Sequence, residues 1–187
     1  MSNWIDFVIE NEVLKGCRVL KIQNPELQVP EGVTVIADGA FWGCADFTSI
    51  SIPDSVTKID NCAFFGFRNL TSIRISENIT VIGDGTFLGC EKLANIRIPD
   101  NVTLIGERAF HGCTMLTSIR IPNGATEIRK YAFWGCDNLT GIHIPDSVTK
   151  IGVRAFLGCE KLTIYAPSGS YAEQYARENN IRFEGEV

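Results

Sequence analysis

The sequence predicts a single-domain solenoid, strand-dominated and α/β by class, in which short turns of chain stack into one continuous core. Three observations predict it. Phe41, Phe64, Phe87, Phe110, Phe133 and Phe156 recur at a step of 23 residues with no insertion. Two further columns keep the same step: Ile36, Ile59, Ile82, Ile105, Ile128 and Ile151, and Gly43, Gly66, Gly89, Gly112, Gly135 and Gly158. The stretches around Ile96–Ile98 and Ile119–Ile121 alternate apolar with polar residues, as a strand with one buried face requires. No unit of this kind can bury its apolar face alone, so neighbours must stack.

Each unit reads roughly I-P-x-x-V-T-x-I-G-x-x-A-F-x-G-C-x-x-L-x-x-I-x. Its first element is the strand closing Leu93-x-x-Ile96-x-Ile98, ended in successive units by Pro53, Pro99, Pro122 and Pro145. Proline has no N–H to give a ladder, so it stops the strand. The V-T-x-I segment, Val102–Ile105 for example, alternates again and predicts a second short strand on the outer side. The A-F-x-G-C segment is a compact turn that plugs the core with phenylalanine behind the small column Ala40, Ala63, Thr86, Ala109, Ala132 and Ala155.

The ends depart from the pattern, as they must where a bare repeat would expose core and strand edges. In residues 3–22, Phe7-Val8-Ile9 and Val13-Leu14 flank the polar Glu10-Asn11-Glu12, which predicts a hairpin-like N-terminal cap. After Leu162, Ser168 or Ser170 is placed to cap a helix over Tyr171–Glu178. Tyr171, Tyr175 and Ala172 are expected to face the last repeat, Asn179-Asn180 to end the helix and Ile181–Phe183 to form a closing strand. The single domain 1–187 thus divides into an N-terminal cap (1–28), six repeats (29–162) and a C-terminal helical cap (163–187). Six repeats at ~4.8 Å each give a slab about 30 Å along the stacking axis.

A repeat of this length with an L-x-x-I-x-I core carries the leucine-rich-repeat signature. The I-G-x-x-A-F-x-G-C-x-x-L blocks, such as Ile105–Leu116 and Ile151–Leu162, resemble the BspA-like bacterial class of 23-residue leucine-rich repeats. The resemblance covers about Val29 to Phe183. It implies a right-handed, curved solenoid with a parallel sheet on the concave face, surface or secreted proteins, adhesion and protein binding. Its motif marks structural positions, so no active-site residue is carried over.

Composition narrows the function classes. The chain has 187 residues, 45% hydrophobic and 21% charged, with a net charge of −5. An acidic surface argues against wholesale nucleic-acid or anionic-membrane binding. No stretch approaches the roughly 20 apolar residues of a membrane span. Met1–Leu14 has no basic region followed by an apolar run, so it does not read as a signal peptide. The expected location is cytoplasmic, or cell-surface or secreted if export signals have been removed.

The seven cysteines are the most conspicuous chemical groups. Cys44, Cys90, Cys113, Cys136 and Cys159 share one repeat position, with Phe67 in the remaining slot, so buried thiols are expected. Stacked side chains about 4.8 Å apart are too widely and too uniformly spaced for a tetrahedral zinc or an in-column disulfide. Cys17 and Cys62 lie outside the column and carry no assignment. His111 and Cys113 are neighbours on one turn, but no third group orients the imidazole. The N-x-[ST] sequons at Asn69, Asn78, Asn101 and Asn138 read as products of the repeat. No catalytic residue, cofactor or metal is expected.

The columns that the core does not dictate carry the functional expectation. On the concave strand one solvent-facing column reads Ser49, Ser72, Asn95, Ser118, Gly141, and the next Ser51, Arg74, Arg97, Arg120, His143. Stacked arginines repel, so Asp54, Glu77, Asp100 and Asp146, three residues further on, are expected to support them. Two readings stay open: a charge-balanced ladder on a solvated face, or a basic strip that receives an acidic segment. The latter draws on arginine's bidentate pairing with carboxylates and its enrichment at interface hot spots. The column after each core phenylalanine, Trp42, Phe65, Leu88, His111, Trp134, Leu157, offers a second stripe for contact or self-association, against partial packing on the neighbouring turn. The expected function is a non-catalytic protein- or peptide-binding module. The alternative is a structural element that self-associates through the aromatic column or the solenoid ends.

Overall fold

The computed structural model describes residues 4–21, 24–42, 44 and 46–186. Gly43 and the outer residues of the predicted hairpin stretch lie outside them. The chain opens with β1 (Trp4–Glu10) and β2 (Val13–Lys21), an antiparallel pair closed by Glu10 opposite Val13. Asn11 and Glu12 between them both have positive φ (50° and 64°). That is the two-residue primed turn whose twist suits a hairpin.

Short strands then alternate along the chain: β3 (Glu26–Gln28), β4 (Val35–Ile36), β5 (Ser49–Ser51), β6 (Lys58–Ile59), β7 (Ser72–Arg74) and β8 (Val81–Ile82). They continue as β9 (Leu104–Ile105), β10 (Ser118–Arg120), β11 (Glu127–Ile128), β12 (Gly141–His143), β13 (Lys150–Ile151) and β14 (Thr163–Pro167). A helix, α1 (Tyr171–Glu178), and β15 (Arg182–Glu186) end the chain. The longer strands β3, β5 and β7, and β10, β12, β14 and β15, pair side by side in parallel; they form the long row, the face the sequence marks as concave. The two-residue strands form a short row, also parallel. The result is a parallel-sheet solenoid of about seven turns. The turn beyond the six predicted is the hairpin itself: Leu14 of β2 aligns with Ile36 of β4 and heads the isoleucine column.

The core is a set of stacked columns. Phe41, Phe64, Phe87, Phe110, Phe133 and Phe156 stack with centroids 4.9–5.4 Å apart. Threonine hydroxyls add outer ladders that the sequence reading missed: Thr103 and Thr126 donate to the carbonyls of Thr80 and Thr103, and Thr71 and Thr140 to those of Thr48 and Thr117. The sequon asparagines Asn78, Asn101 and Asn138 each donate to a backbone carbonyl of the preceding turn. They are structural, as expected of a repeat.

The long row lapses once. The segment Asn95–Arg97, expected to be a strand, is not one, and no ladder joins it to β7 or β10 among the described residues. Ala94 stands there in the threonine column and has no hydroxyl to give. The next turn's Thr117 N–H reaches the Ala94 carbonyl only at 3.5 Å, against 2.8 Å for Thr71 to Thr48 and 2.9 Å for Thr140 to Thr117. Ile96 is correspondingly only half-buried, whereas Ile119 and Ile142 are buried.

The A-F-x-G-C turns form a third ladder of their own. The N–H groups of Cys62, Phe64 and Gly66 donate to the carbonyls of Asp84, Thr86 and Leu88 at 2.8–3.0 Å. Gly85, Phe87 and Gly89 repeat the pattern toward Glu107, Ala109 and His111, and Arg108, Phe110 and Gly112 toward Lys130, Ala132 and Trp134. The first residue of each trio needs a left-handed backbone: Gly39 and Gly85 align there with Cys62, Arg108, Tyr131 and Arg154, all at φ between 53° and 61°. This gives Cys62 its place, with its thiol over the Asp84 carbonyl at 3.8 Å.

Cys90, Cys113, Cys136 and Cys159 are buried, and each Sγ donates to the phenylalanine carbonyl of the preceding turn at 3.1–3.3 Å. Cys44 departs from the expected thiol column: it is bridged to Cys17 on β2, with their Cα atoms 6.5 Å apart. The bridge does not run along the column. It crosses from the cap hairpin to the first turn, where the two chains approach from different directions as a disulfide requires.

At the other end, Ser170 caps α1 by accepting the Glu173 N–H. Ala172, Tyr175 and Ala176 form the buried face. Tyr175 meets the last core ring, Phe156, edge-on at 5.9 Å. Tyr171, expected to join that face, is 40% exposed, because residue 172 and not 171 lies three and four positions before 175 and 176.

Candidate functional site

The long row places the predicted residues on one surface. Arg74, Arg120 and His143 end β7, β10 and β12, with Ser72 and Ser118 two residues earlier on their strands. Ile73, Ile119 and Ile142 between them turn into the core, so their neighbours face out. Asn95 and Arg97 occupy the matching positions on the segment without ladder bonds and are also exposed. Ser72 Oγ donates to Ser49 Oγ at 3.3 Å, so the small-residue column is partly self-bonded.

The four basic groups are not equivalent. Arg74 Nη2 donates to both carboxylate oxygens of Asp54, at 2.9 and 3.1 Å, and Nη1 donates to the Ile52 carbonyl. Arg97 is held by Glu77 and, at 3.2 Å, by Asp100. His143 Nδ1 lies 2.6 Å from Glu186 Oε1, and the ring stacks on Tyr165 at 4.9 Å. Arg120 has no ion pair among the described residues. The reason is positional. Arg74 and Arg97 each take the acid that lies 20 residues earlier. The corresponding acid for Arg120 is Asp100, which Arg97 already engages. Three residues beyond Arg120, where the other turns have Asp54, Glu77, Asp100 and Asp146, stands Asn123. That neutral substitution was legible in the sequence and marks the free guanidinium.

Arg120 also borders three neighbouring depressions. One of about 510 Å³ runs across Asn95, Arg97, Ser118 and His143. Others of about 250 and 200 Å³ lie toward Pro122 and Pro145. The face therefore offers a row of partnered side chains around one arginine that has no ion pair among the described residues.

The lateral stripe is similarly uneven. Trp42 is 70% exposed and Phe65 41%, their rings 6.5 Å apart. Trp134 instead stacks on His111 at 4.6 Å and leans on Tyr131, which carries the Arg108 guanidinium over its ring at 5.1 Å. Cys113 points its thiol at the Phe87 carbonyl while His111 lies against Trp134, so the two do not form a pair. Burial and the nearby Arg108 hold the His111 imidazole below its usual titration range. Burial pushes the Cys90 thiol up to about 12, far from a reactive thiolate. Among the described residues there is no cluster of three or more metal-ligating side chains, and no helix is long and apolar enough to cross a membrane.

The model of the BspA type leucine rich repeat region matches the sequence over residues 8–135 and 34–163, in six copies. The chain belongs to the BspA-type leucine-rich repeat family. Members are generally protein-interaction or surface-protein modules, and the family is generally non-catalytic. No curated protein matches the sequence. Among solved structures, the T. pallidum leucine rich repeat protein superposes with a TM-score of 0.70 at 23% identity, over 98% of this chain and 97% of that one. A leucine rich cell surface protein from Faecalibacterium prausnitzii A2-165 is 32% identical over 92% of this chain, with a TM-score of 0.53. The pneumococcal vaccine antigen PcpA superposes at 0.69 over 88% of this chain, with 18% identity. The chain spans 39% of the Faecalibacterium protein and 42% of PcpA.

Proposed function

We propose that this BspA-type chain is a non-catalytic protein-binding module whose long-row face receives an acidic segment of a partner at Arg120. The observation that carries the reading is that Arg120 has no ion pair among the described residues, whereas its neighbours are engaged, Arg97 by Glu77 and Asp100 and His143 by Glu186. A carboxylate arriving there gains a two-pronged partner without displacing one. Ser118 and Asn95 leave the approach open and supply hydrogen-bonding groups. The Faecalibacterium relative is described as a cell surface protein, and that location is proposed for this chain also, with adhesion as the setting.

The test uses a glutamate-rich decapeptide as probe, titrated calorimetrically at low and at physiological salt. Binding should weaken with salt and fall about tenfold or more in Arg120→Gln. Arg74→Gln should change it little, since Arg74 is already paired. Equal losses in both variants would show that the whole strip acts as a diffuse field, and no saturable binding by the intact chain would sink the reading.

A second reading rests on Trp42 and Phe65. Two adjacent exposed aromatic rings at one end of the lateral stripe favour self-association there. Trp42→Ser should lower the sedimentation mass of a dimer, whereas Trp134→Ser, whose ring is stacked within its own chain, should not. A monomer at all concentrations removes this reading.

A further inference from the structure

The ladder in the A-F-x-G-C turns has a direction. In each turn from Cys62 to Gly135, three backbone N–H groups point toward the C-terminal end and are taken by carbonyls of the next turn. The last such turn is different. Tyr131, Phe133 and Gly135 donate to Val153, Ala155 and Leu157, but the chain after Leu162 leaves for β14 and α1 and supplies no further turn. The equivalent donors on that last turn are the N–H groups of Arg154, Phe156 and Gly158.

Among the described residues no acceptor takes the N–H of Arg154 or of Gly158. The Tyr175 hydroxyl, which reaches the Gly152 carbonyl at 3.4 Å, lies against the backbone of Ala155 and Phe156 and covers the middle of the trio. Where the next turn would stand there is a cavity of about 310 Å³, lined by Arg154, Phe156, Gly158, Cys159, Asn180 and Arg182 among others. Neither Arg154 nor Arg182 has an ion pair among the described residues. Glu160 is the acidic residue of the lining, and it lies beyond ion-pair distance of both.

Open backbone N–H groups beside a concavity favour an anion, and arginines add bidentate donors of the right charge. We propose that this end cavity binds a small oxyanion, carboxylate or phosphate, held by the Arg154 and Arg182 guanidiniums with one oxygen on an open N–H of the last turn, that of Arg154 or of Gly158. The two guanidiniums supply the charge. The site shares no lining residue with the depressions around Arg120 and does not depend on them.

The experiment is an NMR titration of the ¹⁵N-labelled full chain with sodium phosphate, and separately with sodium acetate, at constant ionic strength against sodium chloride. At least one of the Arg154 and Gly158 amide protons should move downfield and saturate, while those of Gly89 and Gly112, already bonded to the next turn, stay in place. Saturation by phosphate alone or by acetate alone identifies the class of anion. Arg154→Gly suits the left-handed backbone at that residue (φ 54°) and keeps the fold. It and Arg182→Gln should each weaken binding about tenfold. Shifts no larger than those given by chloride, or an affinity unchanged in both variants, would overturn the proposal.

Discussion

Asp54 accepts two hydrogen bonds from Arg74, at 2.9 and 3.1 Å, and a third from the Glu77 N–H at 3.2 Å. The Glu77 backbone first, then the Arg74 guanidinium, hold its carboxyl below the usual value of 3.8. A carboxyl with a depressed native pKa stabilises the fold above its unfolded value, and that contribution disappears as pH falls through the depressed one. A side-chain ¹³C titration should place the Asp54 midpoint below 3.8 and should move it only part of the way up in Arg74→Gln. A return to the ordinary value in that variant would mean that the Glu77 N–H contributes nothing.

Ala94→Thr should restore the missing rung of the long row. A threonine hydroxyl there would reach the Thr71 carbonyl as Thr71 reaches Thr48 at 2.9 Å. One such hydrogen bond, in a residue that also suits a strand, is worth about 0.5–1.5 kcal/mol. Denaturant unfolding should show that gain, and hydrogen exchange should show slower amides across residues 94–98. Unchanged exchange would locate the lapse elsewhere than in the side chain.

Gly152→Ala should be among the more damaging small changes in the molecule. A Cβ at residue 152 would sit 2.2 Å from the Lys130 N and 2.6 Å from the Arg129 carbonyl carbon, both backbone atoms of the preceding turn. Such overpacking costs about 1–3 kcal/mol or more. A calorimetric Tm lower than that of Gly16→Ala, where the nearest atom lies 3.9 Å from the added Cβ and φ is not positive, checks the steric origin.

The cysteines divide into groups that alkylation can separate. Cys90, Cys113 and Cys136, buried and bonded to carbonyls, should resist iodoacetamide at pH 8 until the chain unfolds, as mass spectrometry of labelled peptides would report. Cys17 and Cys44 should label only after reduction. Breaking that link, which closes a loop of sequence separation 27, should cost about 2–4 kcal/mol. Labelling of Cys17 in the unreduced folded chain would contradict the bridge.

Most of the fold was legible because it is periodic. The phenylalanine and isoleucine columns report burial directly, and the C-terminal helix was readable from a serine cap at 168 or 170 and from Ala172 and Tyr175, though Tyr171 was misplaced and Ala176 missed. Relations between chains coming from different directions were not. Cys17 gives no sign in the sequence that it meets Cys44, since that contact depends on how the hairpin lies on the first turn. The basic column of Arg74, Arg97, Arg120 and His143 was readable, but its unevenness was not. It arises from Arg97 engaging both Glu77 and Asp100, a choice between rotamers that spacing leaves open. Asn123 was the available sign, and it gains meaning only beside the acids around it.

The one-way hydrogen bonding of the A-F-x-G-C turns also bears on how such a molecule changes over generations. From the turn of Cys62 to that of Tyr131 each junction of this ladder offers the same donors to the same acceptors, so a whole unit, residues 83–105 for instance, fits that ladder in place of its neighbours. Duplication or loss of a unit's worth of coding sequence leaves the remaining junctions of that ladder matched, whereas a gain of a few residues would mismatch all three ladders at once. Length, in steps of one turn, is therefore the dimension along which this architecture is free to drift, and the caps are the parts that must travel with its ends.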